Sequence, residues 1–376
     1  MKRQGQLIEA LGKRAKELRT SKDPRPKKIE KLRAFLADSK NNMNSIAPLP
    51  LPLNAKVTVT GIIAEKCSVF KSNMFPLLVY FRCADETEYP IIFKDGDDMR
   101  QDQLVIQLFT LMERLLRKEG LDLRLTAYDV LATAPQQGLA QFIPSKTVAA
   151  IMSEHGSLLN YLRANYPDEG SVGTYGVEPA VIDTYIKSCG MYDLLSCPFS
   201  TQLPPSWLLC GNLSPRCWRP TPGQLALVTG WPLLPRYETR LTWNFRILIP
   251  GLVDFGYILG RDPKVLAPPV KVCKEMVDAM GGTQSVHYGR FKSFCFTAFI
   301  ILRKSANLIL NLLALMVDAN IPDVTHRDVH EQVLGKFRLD LTDEDAIKHF
   351  DALLNDVSPF AAVLDRMHDW AQYWRS

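Results

Sequence analysis

The sequence predicts an α+β fold in two lobes, a small antiparallel sheet followed by a mainly helical lobe. Three observations predict it. Short alternating apolar runs bounded by turn residues crowd the region from about 55 to 143. Apolar residues at helical spacing dominate from Lys274 onward. A length of 376 residues with 47% apolar side chains supports more than one sizeable core.

The elements follow in order. Residues 1–52 read as a basic helical leader with a proline-rich linker. Thirteen Lys/Arg stand against five Asp/Glu in residues 1–40, a local +8, although the whole chain carries only +5. Such a leader can touch an anionic partner or present a solvated helix face. Ile29, Leu32 and Leu36 fall at helical spacing, and Pro48-Leu49-Pro50-Leu51-Pro52 stops the helix and reads as extended. The N-terminus has no apolar core behind its charges, so no signal peptide is predicted. The strongly apolar stretch Leu308–Val317 is too short for a bilayer, which needs about 20 residues, and reads as a buried helix.

Strands are predicted at Lys56–Thr60 running on to Ile63, at Leu77–Phe81, at Tyr89–Lys94, within Leu121–Ala134 and at Gly138–Ile143. A helix from about Met99 to Lys118 lines up Leu104, Leu108, Met112, Leu115 and Leu116, with Gly120 as its C-cap. Ser145 is the expected N-cap of the next helix. The domains so read are 53–143 for the first lobe and 144–189 for the start of the second. Residues 190–252 form an aberrant segment, and 253–376 are the rest of the second lobe. The segment 190–252 has no Lys, no His and only Asp193 and Glu238 as acids, yet it holds nine of 25 prolines and four of six tryptophans. Neither the strand period nor the helix period persists through it.

The eight cysteines form no C-x-x-C pair, and no His lies between 156 and 286, so no Cys/His zinc pattern arises. Reduced thiols in a cytosolic protein are the simple reading.

Two elements carry phosphoryl-transfer chemistry, which needs a cation on phosphate and a carboxylate on a metal ion. Lys94 ends the apolar run Ile91-Ile92-Phe93, where a strand can aim its ammonium. The acidic stretch from Asp95 to Asp102 then opens a helix whose carboxylate can pair with it. Asp254-Phe255-Gly256 supplies the metal carboxylate, in the right order after Lys94. Gly61 is the sole glycine between 55 and 90, which excludes an ordinary protein-kinase glycine-rich loop. His326-Arg327-Asp328 spells the protein-kinase catalytic tripeptide, but it follows the DFG and so has the wrong order.

The run Ile92-Phe93-Lys94-Asp95-Gly96-Asp97-Asp98-Met99-Arg100-Gln101-Asp102 resembles the signature of the phosphatidylinositol 3-kinase catalytic domain. Phe70-Lys71-Ser72, Leu121 through Tyr128, Asp254 through Asp262, Gly281 through Gln284, Leu315 through Pro322 and Ala371 through Arg375 resemble its class III, vacuolar-sorting type. The resemblance covers roughly 50–189 and 254–376. It implies a two-lobed, protein-kinase-like lipid kinase domain whose C-lobe is interrupted at 190–252.

By position the resemblance also implies site roles. Val69, Phe70, Lys71 and Ser72 would cover the nucleotide phosphates. Lys94 would bind phosphate, oriented by Asp102. Tyr128 would line the inner pocket, and Gln141, Phe142 and Ile143 would be the hinge against adenine. Asp254 would hold Mg²⁺ or Mn²⁺ beside ATP. Tyr257, Arg261, Lys264, Lys271 and Lys274 would belong to the activation segment that reads the headgroup. So few cations suit phosphatidylinositol without extra phosphates. Trp370, Tyr373 and Trp374 would form a terminal membrane helix, although the same spacing also serves a helix docked by its aromatics.

Implied partners are a phosphatidylinositol membrane surface, a regulatory protein kinase subunit and a Beclin-type subunit. No nucleic-acid partner is expected. The implied location is cytoplasmic and peripheral on endosomal and autophagosomal membranes.

The resemblance also demands a Gly-Asp-Arg-His-x-x-Asn type loop shortly before the DFG. Between Cys189 and Asp254 there is no His and no Asp-Arg pair. The family text stops at Gly190 and resumes at Asp254. Sharp borders of this kind point to a splicing or gene-model fault, or to an alternative exon. The expectation is therefore an inactive chain with a weakened C-lobe; the alternative function is a fragment or isoform that binds ATP, membrane or partners without turnover.

Overall fold

The structure, a computed structural model, describes residues 2–71, 74–125, 127–168, 170, 173–199, 240–244, 250–253, 274–321, 324 and 328–355. They fall into two compact units, Met1–Met112 with Thr126–Ser145, and Glu113–Leu125 with Lys146–Ser376.

The first unit is built on an antiparallel sheet. Its strands are β1 (Leu49–Pro50), β2 (Thr58–Ile62), β3 (Ser68–Val69), β4 (Leu77–Cys83), β5 (Glu88–Asp95), β6 (Val130–Ala134) and β7 (Gln137–Gln141). The order is β1-β2-β4-β5-β7-β6, with β3 pairing β4. Alternation in β4 and β5 decides the faces. Val79, Phe81, Ile91 and Phe93 are fully buried on one side, where they join Leu139 of β7.

Two helices close that core, α1 (Lys2–Thr20) and α2 (Arg25–Ala37). The basic leader is thus not simply a solvated face. Leu7, Leu11, Ala15 and Leu18 of α1 and Leu32 and Leu36 of α2 share one hydrophobic cluster with the sheet. The proline-rich stretch does more than link: Leu49 pairs with Val59, an edge position where proline's missing donor costs nothing.

Helix α3 (Arg100–Lys118) ends at Gly120 as expected, with φ +80 and with Leu121 N donating to Leu116 O at 2.9 Å. The strand expected from Leu121 begins only at Val130. Arg124 takes φ +57, and its amide donates to Asp122 Oδ1 at 2.9 Å, so a side-chain turn displaces extended pairing.

In the second unit α4 (Val148–His155) starts three residues after Ser145, which lies instead in β8 (Ser145–Thr147). Helix α5 is Leu158–Asn165, N-capped by Ser157. Helix α6 (Pro179–Phe199) runs through Gly190, so the compositional border is not a break in backbone structure. Strands β9 (Arg240–Asn244) and β10 (Pro250–Val253) pair antiparallel, with Trp243 opposite Pro250. A strand of five residues is too short to register as periodicity over the whole segment.

The remaining helices are α7 (Lys274–Ala279), α8 (Val286–Lys304), α9 (Ala306–Met316), α10 (Asp328–Phe337) and α11 (Asp343–Asn355). Tyr185 of α6 donates to Met276 O at 3.1 Å, and Phe299 of α8 stacks on Phe350 of α11 at 4.7 Å. Among the described residues no single helix is long and apolar enough to cross a membrane. The bent pair Val286–Lys304 and Ala306–Ala319 passes that test only jointly.

Candidate functional site

The described part of the site lies on the first unit. Since Phe93 is buried, the alternating residue Lys94 emerges on the opposite face of β5, level with Gly138 of β7. Its side chain is only 12% exposed, and Nζ lies 4.0 Å from Asp97 Oδ2. An ammonium so placed is aimed rather than free to sweep solvent.

The acids after Lys94 are divided among different cations. Asp95 Oδ2 lies 2.9 Å from Arg19 Nε of α1. Asp98 accepts from the Arg100 amide at 3.1 Å and from Arg100 Nη2 at 2.6 Å. The Arg100 guanidinium holds the Asp98 carboxyl below the usual carboxylate range. Asp98 therefore serves the start of α3. Asp102 sits in the first turn of α3, 5% exposed beside Gln101 at 2%. One ion pair at Lys94 is with Asp97, three residues on, a residue the sequence reading did not single out.

The loop after β3 reaches toward the hinge. Val69 pairs with Leu77, and Phe70 N donates to Pro76 O at 2.9 Å, closing the loop on itself. The Phe70 ring lies 6.1 Å from that of Phe142 at a 54° tilt, so loop and hinge meet through aromatic surface. Lys71 is exposed.

The strand end expected to be the hinge is held by its neighbours. Gln141 N donates to Asp129 O at 2.8 Å, and Phe142 N donates to Pro90 O at 3.0 Å. Asp129 Oδ2 accepts from Asn54 at 2.8 Å and from the Tyr89 hydroxyl at 3.2 Å. Burial, then the Asp129 charge, pushes the Tyr89 phenol well up, so it stays a donor. Tyr128 is 8% exposed. Sequence reasoning missed Asn54, Tyr89 and Asp129. Nothing in the linear sequence marks a contact between residues 75 positions apart.

Of the other expected residues, Lys274 opens α7 and is exposed. Ser72, Asp254, Tyr257, Arg261, Lys264, Lys271, Trp370, Tyr373 and Trp374 lie outside the described residues. Among the described residues no three His, Cys, Asp or Glu side chains group to hold a metal ion. The same sheet thus carries a lysine only 12% exposed, an aromatic loop and an anchored end of β7.

Comparison with known proteins identifies the family. The profile of the family "Phosphatidylinositol 3- and 4-kinase" matches residues 88–192 and 252–326. The unmatched interval between them nearly coincides with the compositionally distinct segment. The phosphatidylinositol 3-kinase pik3 of Schizosaccharomyces pombe is 45% identical over 382 aligned positions, covering 99% of this chain and 43% of that protein. The root isoform of phosphatidylinositol 3-kinase from Glycine max is 42% identical, over 99% of this chain and 42% of that protein. The VPS34 phosphatidylinositol 3-kinase of Saccharomyces cerevisiae is 37% identical, over 99% and 39%. The chain thus spans less than half the length of these relatives. It belongs to the phosphatidylinositol 3- and 4-kinase family.

Proposed function

We propose that this chain is the catalytic portion of a class III phosphatidylinositol 3-kinase. The domain type transfers the ATP γ-phosphate to the 3-hydroxyl of phosphatidylinositol on endosomal and autophagosomal membranes. The observation that carries the reading is Lys94: a nearly buried ammonium near the end of β5, on the face away from the core, paired across to Gly138 of β7.

The residues fit a nucleotide. Lys94 would meet the phosphates, with its direction set by the β5–β7 pairing and by the Asp97 carboxylate, and Asp102 would orient it. Gln141 and Phe142 have already committed their amides, so an adenine acceptor would be served at or after Ile143. The aromatic pair Phe70 and Phe142 would shield the ring from water. Asp254 would hold the divalent ion, which supplies neutralising charge between phosphate oxygens. Tyr257, Arg261, Lys264, Lys271 and Lys274 would meet the inositol headgroup, and Trp370, Tyr373 and Trp374 the bilayer.

The chain as written binds nucleotide and does not turn it over. Phosphoryl transfer also needs a group to orient and deprotonate the attacking hydroxyl. The Asp and His of the expected loop are not encoded between Cys189 and Asp254. The regulatory protein kinase and Beclin-type subunits belong to this reading as partners of the complete enzyme.

The test is direct. Purified chain is assayed with ATP, Mg²⁺ or Mn²⁺ and phosphatidylinositol vesicles, beside a version with a Gly-Asp-Arg-His-x-x-Asn loop restored between Cys189 and Asp254. We expect ATP binding by both, turnover by the restored chain alone, and loss of binding in Lys94→Ala. Turnover by the chain as written, abolished by Lys94→Ala, would overturn the inactive reading. Transcript reads joining the Cys189 codon to a loop-coding exon would identify 190–252 as a splicing or gene-model fault. Peptides from 190–252 recovered from cells would instead mark it as an isoform.

A further inference from the structure

We propose that the N-terminal helical pair braces the phosphate-covering loop and the Lys94 turn, with Lys28 and Arg25 of α2 as positioning residues for the nucleotide phosphates. This rests on the nucleotide reading above.

Several contacts converge on the loop. Lys28 is 1% exposed, and its ammonium donates to Leu18 O and, at 2.7 Å, to Ser21 O, which fastens α2 to the end of α1. The same ammonium lies 3.9 Å from the centre of the Phe75 ring, in the loop between β3 and β4. Phe75 has φ +47, a left-handed conformation that a bulky side chain adopts only when its surroundings impose it. The surroundings here are the Lys28 cation and the apolar cluster against which the ring packs. At the loop's other end Arg25 Nε donates to Val69 O at 2.7 Å, and Arg33 Nε donates to Cys67 O at 2.9 Å.

The Lys94 turn is tied to the same helices. Arg19 of α1 pairs with Asp95 at 2.9 Å. Gly96 has φ +101, and a Cβ there would collide with Met74 of the loop and come within 2.7 Å of Arg19 Nη1. Loop, lysine turn and leader therefore meet at one point. A basic leader would be needlessly elaborate for packing alone, which Leu11, Leu18, Leu32 and Leu36 already accomplish. Its cations instead hold the two elements that flank a triphosphate.

The experiment measures MgATP and adenosine binding by calorimetry in the full chain, with hydrogen exchange of the peptide spanning the β3–β4 loop. Lys28→Met, Arg25→Ala and Leu32→Ala are compared. Lys28→Met should raise the MgATP Kd about tenfold and leave adenosine within about twofold, since losing a desolvated cation–π contact has roughly that weight. Arg25→Ala, at an exposed position that does not threaten folding, should shift MgATP in the same direction by a smaller factor. Both should speed exchange of the Phe70 and Phe75 amides. Leu32→Ala loosens the core yet should leave the ratio of the two affinities unchanged. ATP and adenosine weakening in parallel, or loop exchange in both cation variants matching the parent, would overturn the brace. A parent that binds neither ligand, with loop exchange still accelerated, would overturn the nucleotide reading and with it the purpose assigned to the brace.

Discussion

Lys28→Met should destabilise the first unit by about 2–3 kcal/mol. The side chain is 1% exposed and donates to two carbonyls, Leu18 O and Ser21 O, at the end of α1. Each buried acceptor left without a donor costs about 1–3 kcal/mol, and the lost contact with Phe75 adds about 0.5–2 kcal/mol. Against this, removing a buried charge recovers several kcal/mol of desolvation, which brings the net loss back to the stated range. Urea unfolding with an unchanged slope should show the loss as a lower midpoint. The sign with pH is a second handle. Burial lowers the Lys28 pKa from its ordinary 10.5, so the unfolded chain holds the proton more tightly than the folded one. Lys28 then adds stability as pH rises from its folded value toward 10.5, and the Met variant lacks that rise. A midpoint within about 0.5 kcal/mol of the parent, the ordinary scatter of surface substitutions, would refute the reasoning.

Three further outcomes are expected. Arg303→Met should cost about 2–4 kcal/mol, read by thermal or urea unfolding, because the buried guanidinium donates to Phe337 O, Arg338 O and Leu341 O, which lose that donor, while the exposed Asp343 carboxylate returns to water. Burial, then the nearby Arg338, lowers the His349 pKa, while Asp340 opposes the shift. Its neutral form is favoured in the fold, so its contribution is complete above about 6.5 and lost as pH falls below; His349→Gln should flatten that part of a melting-temperature profile, and an unaltered profile would exclude His349 as the cause. Gly96→Ala should destabilise the first unit by at least about 1 kcal/mol, read by urea unfolding, since φ +101 is costly for any residue with a Cβ and the space is taken by Met74 and Arg19.

The elements that carry the candidate site were legible because their signals are local. Lys94 at the end of an alternating apolar strand, the acidic turn after it and the helix from Arg100 to Lys118 all follow from residues close together in the chain. The resemblance to lipid kinases rests on the same continuous runs. The contact between Lys94 and Asp97 was less legible. Several acids follow within eight residues, and which one faces the ammonium depends on the turn at Gly96 and on Arg19 and Arg100 engaging Asp95 and Asp98.

By itself the sequence determined the strand and helix periods, the α+β class and the absence of His and of any Asp-Arg pair from 190–252, because these depend only on residue order and spacing. Tertiary structure alone decided that a basic leader is a structural wall of the sheet. It also decided that Lys28 caps a helix end while facing Phe75, and that Asn54, Tyr89 and Asp129 pin the end of β7. The physical reason is common to all of these. Burial and hydrogen-bond partners belong to groups brought together from distant positions, and no pattern along the chain encodes which distant group arrives.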